Sequence, residues 1–347
     1  MPATTFDTFF ACTIVVAAVL IATAFLGTTL EARIASTQDV NKDSYLKAIA
    51  DRIVANPGDP LDWGTSTVVP ANFGLAATGN SLGAYTLDPD KISRLNFQNN
   101  ASLSYPELAA SAGINNIAVG IAVSQILDIE IEQTANHTVG SNTSFDFQVS
   151  TSIEAKPNSA SLHCYVVAES YLSEVNATTN ASGVGSLTVQ VPSAGVDDAL
   201  LIVFARVPFD NRLTSFAVYS FANSAQQSLP SSTQLSMSPL DSILYYNASD
   251  GLSVQNVYAL SYSYQQTASL IRTSQRAISP SIDHSPTVLV ACASGGEGYF
   301  EEWTAYPQVP LTTGSSFENS ERNVFTYTVT IDDVLYKLQL SLGAINP

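Results

Sequence analysis

The sequence predicts an α+β protein: a long N-terminal hydrophobic helix followed by two all-β, sandwich-like, antiparallel domains. Three observations carry this. From Phe9 to Leu30 the chain has no charged residue. From Ile114 onward, short turn-bounded segments alternate apolar and polar residues. Between the two, Asn56 to Asn100 reads as a compact linker marked by Pro and Gly. The expected divisions are a membrane or assembly helix over 1–56, a linker with short helices over 57–113, a first β-sandwich over 114–228 and a second β domain over 229–347.

The helix comes first. About 20 apolar residues span a bilayer at 1.5 Å per residue, and Phe9–Leu30 meets that length. A discarded secretion signal needs a basic start and a shorter apolar centre. "ATA" at Ala22–Ala24 would serve as a cut site, but "MPATTFDT" holds no Lys or Arg and the apolar run is too long. Beyond the run, Ile34, Tyr45, Leu46, Ile49, Ile53 and Val54 keep an apolar stripe at helical spacing. One helix is therefore expected from about Thr5 to Ala55, ended by Pro57, Gly58 and Pro60 in "NPGDP". Arg33, Lys42, Lys47 and Arg52 all follow the apolar run, which taken alone keeps the bulk of the chain inside the cell. The Asn-x-Ser/Thr sites and the β-rich remainder favour export and outweigh it.

In the linker, Trp63, Phe73, Leu75, Tyr85 and Leu87 read as plugs onto a larger body. "LDPDKISRL" opens a helix, with Asp88 as N-cap and Pro89 at the first position. A second short helix is expected around Tyr105–Ala112. "ILDIEIEQT", "TSFDFQVST", "SLHCYVVAES", "GSLTVQVP" and "ALLIVFARV" then read as alternating strands. "AQQSLPSSTQLSMSP" (Ala225–Pro239) is polar and Pro-marked, which places the domain boundary there. A hairpin closes the chain, with Asp332 and Asp333 at its turn.

Composition excludes several functions. Of 347 residues, 46% are hydrophobic, so the chain is not disordered, and only 12% are charged. The net charge of −17 and five lysines leave no basic patch for nucleic acid. A hydroxyl-rich surface suits an exported protein. Sequons at Asn100, Asn136, Asn142, Asn176, Asn180 and Asn247 mark glycosylation sites on an outer surface. Three cysteines are too few for a disulfide scaffold. Cys164 and Cys292 could form one bridge outside the cell; the alternative is two separately buried thiols.

Chemistry is sparse. His137, His163 and His284 lack metal-ligand spacing, and no nucleophile elbow, phosphate loop or dinucleotide fingerprint is present. "ASGGEGYFEEW" (Ala293–Trp303) is the best candidate for a cation or sugar site, through Glu297, Tyr299, Glu301, Glu302 and Trp303. Glu301 and Glu302 point to opposite faces of a strand, so they do not pair as acid and base. "YNASDG" (Tyr246–Gly251) and "IDDV" are ordinary acidic turns that could contact Ca²⁺. No catalytic residue, metal or cofactor is assigned, and the chain is not read as an enzyme.

With "FDTFFACTIVVAAVLIATAFL", its amphipathic continuation and a sequon-rich β remainder, the chain resembles archaeal type IV pilin-like proteins. "PLDWG…FGLA…LDPDKISRL" is similar to the segment after the helix in some of them. The resemblance implies processing after Pro2, which makes Ala3 first and Asp7 fifth, with Asp7 pairing to the free amine of a neighbouring subunit. It implies a homo-oligomeric, helical filament at the cell surface, held in the membrane before assembly. Its core contacts would come from Phe6, Phe9, Phe10, Ile14, Val15, Val19, Leu20, Ile21, Phe25 and Leu26, and its outer wall from glycosylated β domains. The alternative is a single-pass membrane-anchored glycoprotein that binds a ligand or partner through those domains.

Overall fold

The computed structural model describes residues 3–79, 85–114, 117–169, 171–192, 198–222, 235–249, 251–271, 274–278, 285–295, 298–315, 317 and 322–344, without the side chains at 3–9, 27–41, 139, 198, 222, 298, 300 and 344. Three α-helices are present among them: α1 (Ala3–Ala55), α2 (Pro89–Ser93) and α3 (Tyr105–Ala112). The strands are β1 (Ile117–Gln125), β2 (Leu127–Val139), β3 (Asn142–Ile153), β4 (Lys156–Pro157), β5 (Ser161–Ala168), β6 (Tyr171–Thr178), β7 (Val184–Pro192), β8 (Asp198–Val207), β9 (Asp210–Ala222), β10 (Leu235–Leu240), β11 (Ile243–Ala248), β12 (Ser253–Leu260), β13 (Gln265–Thr267), β14 (Ser269–Ile271), β15 (Arg276–Ile278), β16 (Thr287–Gly295), β17 (Gly298–Tyr306), β18 (Leu311–Gly314), β19 (Arg322–Ile331) and β20 (Val334–Ala344). The chain divides into two compact units, Met1–Asp51 and Arg52–Pro347.

Helix α1 has 53 residues, which makes it about 80 Å long at 1.5 Å per residue. Among the described residues no helix is long and apolar enough to cross a membrane. The spanning segment expected over Phe9–Leu30 is therefore not found among them.

Within residues 52–347, four antiparallel sheets stack face to face. Their strand orders are β2-β3-β4 with β7 on β3, then β6-β5-β8-β9, then β13-β12-β16-β17, then β10-β11-β15-β14. Three cores separate them. Phe145, Phe147 and Val189 of the first sheet meet Cys164, Leu201 and Val203 of the second. From the other face of the second sheet, Tyr165, Ile202 and Phe204 meet Leu260, Val290 and Cys292 of the third. Finally Val257, Leu289 and Ala291 meet Leu244, Tyr246 and Ala277 of the fourth.

The two middle sheets are covered on both faces, and their strands show it. Every residue of β8 from Ala199 to Ala205 is buried, and so is β16 from Thr287 to Ala293. "ALLIVFARV" is thus a continuous apolar run and not the alternating strand expected, because a strand between two cores has no solvent face. β7 has only one core to face, and its burial alternates as expected.

A fifth sheet, in the order β18-β1-β20-β19, crosses the expected division at residue 228. β1 pairs with β20 from Ile117↔Ala344 to Gln125↔Tyr336, so the start of the first β region lies beside the end of the second. The Gln125 side chain ties this sheet to β9, accepting from Phe216 N–H at 2.6 Å and donating to Phe216 O at 3.2 Å. In the expected boundary segment, residues 225–234 lie outside the described ones. Leu235–Pro239 belongs to β10, an edge strand, where Pro239 costs no ladder bond. The closing hairpin turns at Asp332 (φ 45) and Asp333 (φ 64), both left-handed, as a two-residue loop requires.

The linker receives the end of α1. Leu75 N–H donates to Ile53 O at 2.9 Å and Ala76 N–H to Asn56 O at 3.0 Å, which satisfies terminal carbonyls of the helix. Asp88 Oδ1 caps α2 by accepting from Asp90 N and Lys91 N, with Pro89 at the first position. Glu107 Oε2 accepts from Ser104 N and Oγ at the start of α3, and Gly113 ends it at φ 66.

From α2 onward the linker carries buried polar groups that hold it together and tie it to the sheets. Lys91 Nζ donates to Pro57 O and Ala76 O at 2.8 Å each. Arg94 donates to the carbonyls of Ala101, Val68 and Trp63, with its guanidinium 5.3 Å from the Trp63 ring centroid. Asn99 Nδ2 donates to Gln308 Oε1 at 2.7 Å and to Pro239 O at 3.2 Å. Asp90 Oδ1 accepts from Asp241 N at 3.0 Å and Tyr306 Oη at 3.1 Å. Burial pushes the Asp90 carboxyl up from 3.8 to about 6; the Asp241 N–H opposes this and neighbouring Asp88 adds to it.

Candidate assembly surface

Among the described residues, helix α1 carries an exposed apolar surface from Phe10 to Leu26. Phe10, Ile14, Ile21 and Phe25 lie on one face, each between 63% and 71% exposed. Val15, Val19 and Leu26 lie on a second face, and Val16 and Leu20 on a third, all exposed. A helix that is apolar on every side is stable only inside other apolar material. Thr13 Oγ1 donates to Phe10 O at 2.9 Å and Thr23 Oγ1 to Val19 O at 2.7 Å, so these hydroxyls are satisfied by their own backbone. Cys12 is exposed in the same stretch.

Of the residues expected to make core contacts, Phe10, Ile14, Val15, Val19, Leu20, Ile21, Phe25 and Leu26 are all on this surface. The side chains of Phe6, Asp7 and Phe9 lie outside the described ones. Further along, Leu46, Ile49, Ile53 and Val54 of the expected stripe are buried, and Ala50 joins them. Tyr45 is 60% exposed, because it sits one residue off the row through 46, 49, 50 and 53.

The sequons lie in several elements. Asn100, Asn136, Asn176, Asn180 and Asn247 are exposed, and Asn142 is half-buried at the start of β3. Asn180 Oδ1 accepts from Ser182 N and Val184 N, which shapes the loop between β6 and β7.

The other candidates do not converge. Glu301 and Glu302 leave β17 on opposite faces, as alternation requires, and Glu301 Oε1 is taken by the Glu169 N–H. Trp303 rests edge-on against Phe216 with centroids 6.2 Å apart. Glu297 and His284 lie outside the described residues. Among the described residues no group of three or more His, Cys, Asp or Glu is placed to hold a metal ion. His163 sits 3.4 Å from Glu174 and stacks on Tyr165, and His137 lies 3.9 Å from Asp146.

The bridge considered between Cys164 and Cys292 is not formed. Both are free and buried, Cys164 in the core between the first and second sheets and Cys292 in the core between the second and third. Period-two alternation turns Cys164 to the face of β5 away from Cys292. Burial pushes the Cys164 thiol up to about 12 and raises that of Cys292 as well.

Sequence patterns missed Lys91, Arg94 and Asn99 as buried residues. The available signal was three polar side chains within one capped, Pro-started segment beside Trp63.

No protein-family model matches the chain, and no curated protein matches it. Among solved structures it is similar to HBP35 of Porphyromonas gingivalis, at 9% identity over 58% of this chain and 69% of that one, with a TM-score of 0.20.

Proposed function

We propose that this chain is a structural subunit of an extracellular pilus-like filament, with α1 helices packed in the core and the glycosylated β sheets on the outside. The observation that carries this is the all-round apolar surface of α1 from Phe10 to Leu26. Burying each such side chain is worth roughly 1.5–3 kcal/mol. A bundle of identical helices offers that burial many times over and needs no covalent link. The resemblance to pilin-like N-termini supports the same reading, with Asp7 as the charge that finds a neighbouring amine. Before assembly, lipid is the other medium that accepts such a helix. No catalytic role or cofactor is assigned. The exposed sequons favour a cell-surface location.

Negative-stain electron microscopy of the detergent-purified full chain, after the detergent is removed, tests assembly. Filaments of uniform width are expected, and Leu20→Asp with Ile21→Asp should abolish them. Dispersed particles that stay monomeric at all concentrations, or that bind only to vesicles, would sink the filament and favour the anchored glycoprotein.

A further inference from the structure

Three hairpin turns from three different sheets meet the linker around one cleft of about 720 Å³. The β8–β9 hairpin brings Arg206, Asn211 and Arg212; the segment from β12 to β13 brings Tyr264 and Gln266; the β19–β20 turn brings Asp333. The volume is within the roughly 300–1,000 Å³ of small-ligand sites. Turns held by rigid sheets are where binding residues concentrate.

The donors are held in fixed orientations. The Arg206 guanidinium lies 3.9 Å over the Tyr262 ring, and its Nε donates to Thr214 Oγ1 at 2.9 Å. Arg212 is braced by Asp210, with Nε to Oδ1 at 3.0 Å and Nη2 to Oδ2 at 2.8 Å. Each guanidinium keeps further N–H groups, since it has five. Acceptors line the same cleft. Among the described residues nothing donates to the buried Gln266 Oε1, a deficit worth about 1–3 kcal/mol until a donor arrives. Asp333 adds a carboxylate at the rim. Tyr264 also lines the cleft, and its hydroxyl lies 2.9 Å from Thr287 Oγ1.

Donors and acceptors both line this cleft, and the two arginines share it with Asp332 and Asp333. A polyanion would meet those carboxylates, and an apolar ligand would leave the Gln266 carbonyl and the remaining guanidinium N–H groups without a match. A molecule with many hydroxyls meets every demand, because each O–H both donates and accepts. We propose that the cleft binds a short hydroxyl-rich oligosaccharide, whose hydroxyls donate to Gln266 Oε1 and Asp333 and accept from Arg206 and Arg212. The site lies wholly within residues 52–347 and does not depend on filament assembly.

The test exposes the full-length chain, in detergent, to an array of neutral, uronic-acid and sialylated oligosaccharides. The best-retained trisaccharide is then titrated by calorimetry. Retention of at least one neutral oligosaccharide is expected, with affinity falling about tenfold in Gln266→Leu and several-fold in Arg212→Ala. Arg212 is exposed, so its variant should keep the parent melting temperature, and Glu132→Gln on distant β2 should keep full affinity. The proposal is overturned if no saccharide is retained, if the Gln266 and Arg212 variants bind as the parent does, or if acidic peptides outcompete every sugar.

Discussion

At the scale of single residues, the segment from α2 onward buries charge against hydrogen-bonding partners. Asp90 shows what this implies for pH. Its carboxyl titrates near 6 in the folded chain and near 3.8 when exposed, so the folded state holds its proton more tightly. The associated stability is fully present below pH 3.8 and is lost as pH rises through about 6, a change of about 3 kcal/mol. Asp90→Asn keeps an acceptor for Tyr306 and Asp241 without the charge, so it should flatten this part of a melting-temperature profile between pH 4 and 7. A parent profile with no downward component there that the Asn variant removes would contradict this. Arg94 holds three carbonyls, and Arg94→Leu should cost about 2–4 kcal/mol in denaturant unfolding, since the Trp63 carbonyl stays buried without its donor and the other two lose theirs. The cysteines separate by burial: in folded protein free of filaments, maleimide should label Cys12 and leave Cys164 and Cys292 untouched until denaturant is added. Of these residues, Asp88 was legible as a cap because capping is local. Lys91 and Arg94 were not, because their partners at Pro57, Ala76 and Val68 lie 15 to 34 residues away.

At the scale of elements, what was legible follows what is local. The end of α1 at Ala55, the cap of α2, the limits of α3 and the turn of the last hairpin all rest on residues within a few positions of each other. The middle strands were harder. β7 alternates because one face meets water, whereas β8 and β16 do not, because each lies between two cores. Nothing in "ALLIVFARV" says which of its faces will be covered. The junction of α1 with the linker depends on close backbone approach at Gly74, where a Cβ would overlap the Asn56 carbonyl oxygen. Gly74→Ala should therefore destabilise the β unit by about 1–3 kcal/mol in denaturant unfolding, with secondary structure retained. A variant as stable as the parent would show that this junction can relax.

At the scale of the whole molecule, the two units have opposite relations to water. Residues 52–347 close their own apolar surface in three successive cores, while the apolar side chains of α1 from Phe10 to Leu26 are exposed. Single Asp substitutions at Val15 or Leu20 should leave the thermal unfolding of the β unit unchanged and reduce the sedimenting, assembled fraction at least tenfold. Loss of both together would mean that α1 serves folding and not assembly. The sequence by itself determined α1, the caps, the sheet-forming segments and the acidic, hydroxyl-rich surface, because these depend on composition and on contacts a few residues apart. Only the tertiary structure decided that β1 would pair with β20, that two sheets would be buried on both faces, and that turns near residues 206, 264 and 333 would share one cleft. Those outcomes depend on which distant surfaces meet, and hydrophobic burial drives surfaces together without specifying in sequence which partner each one finds.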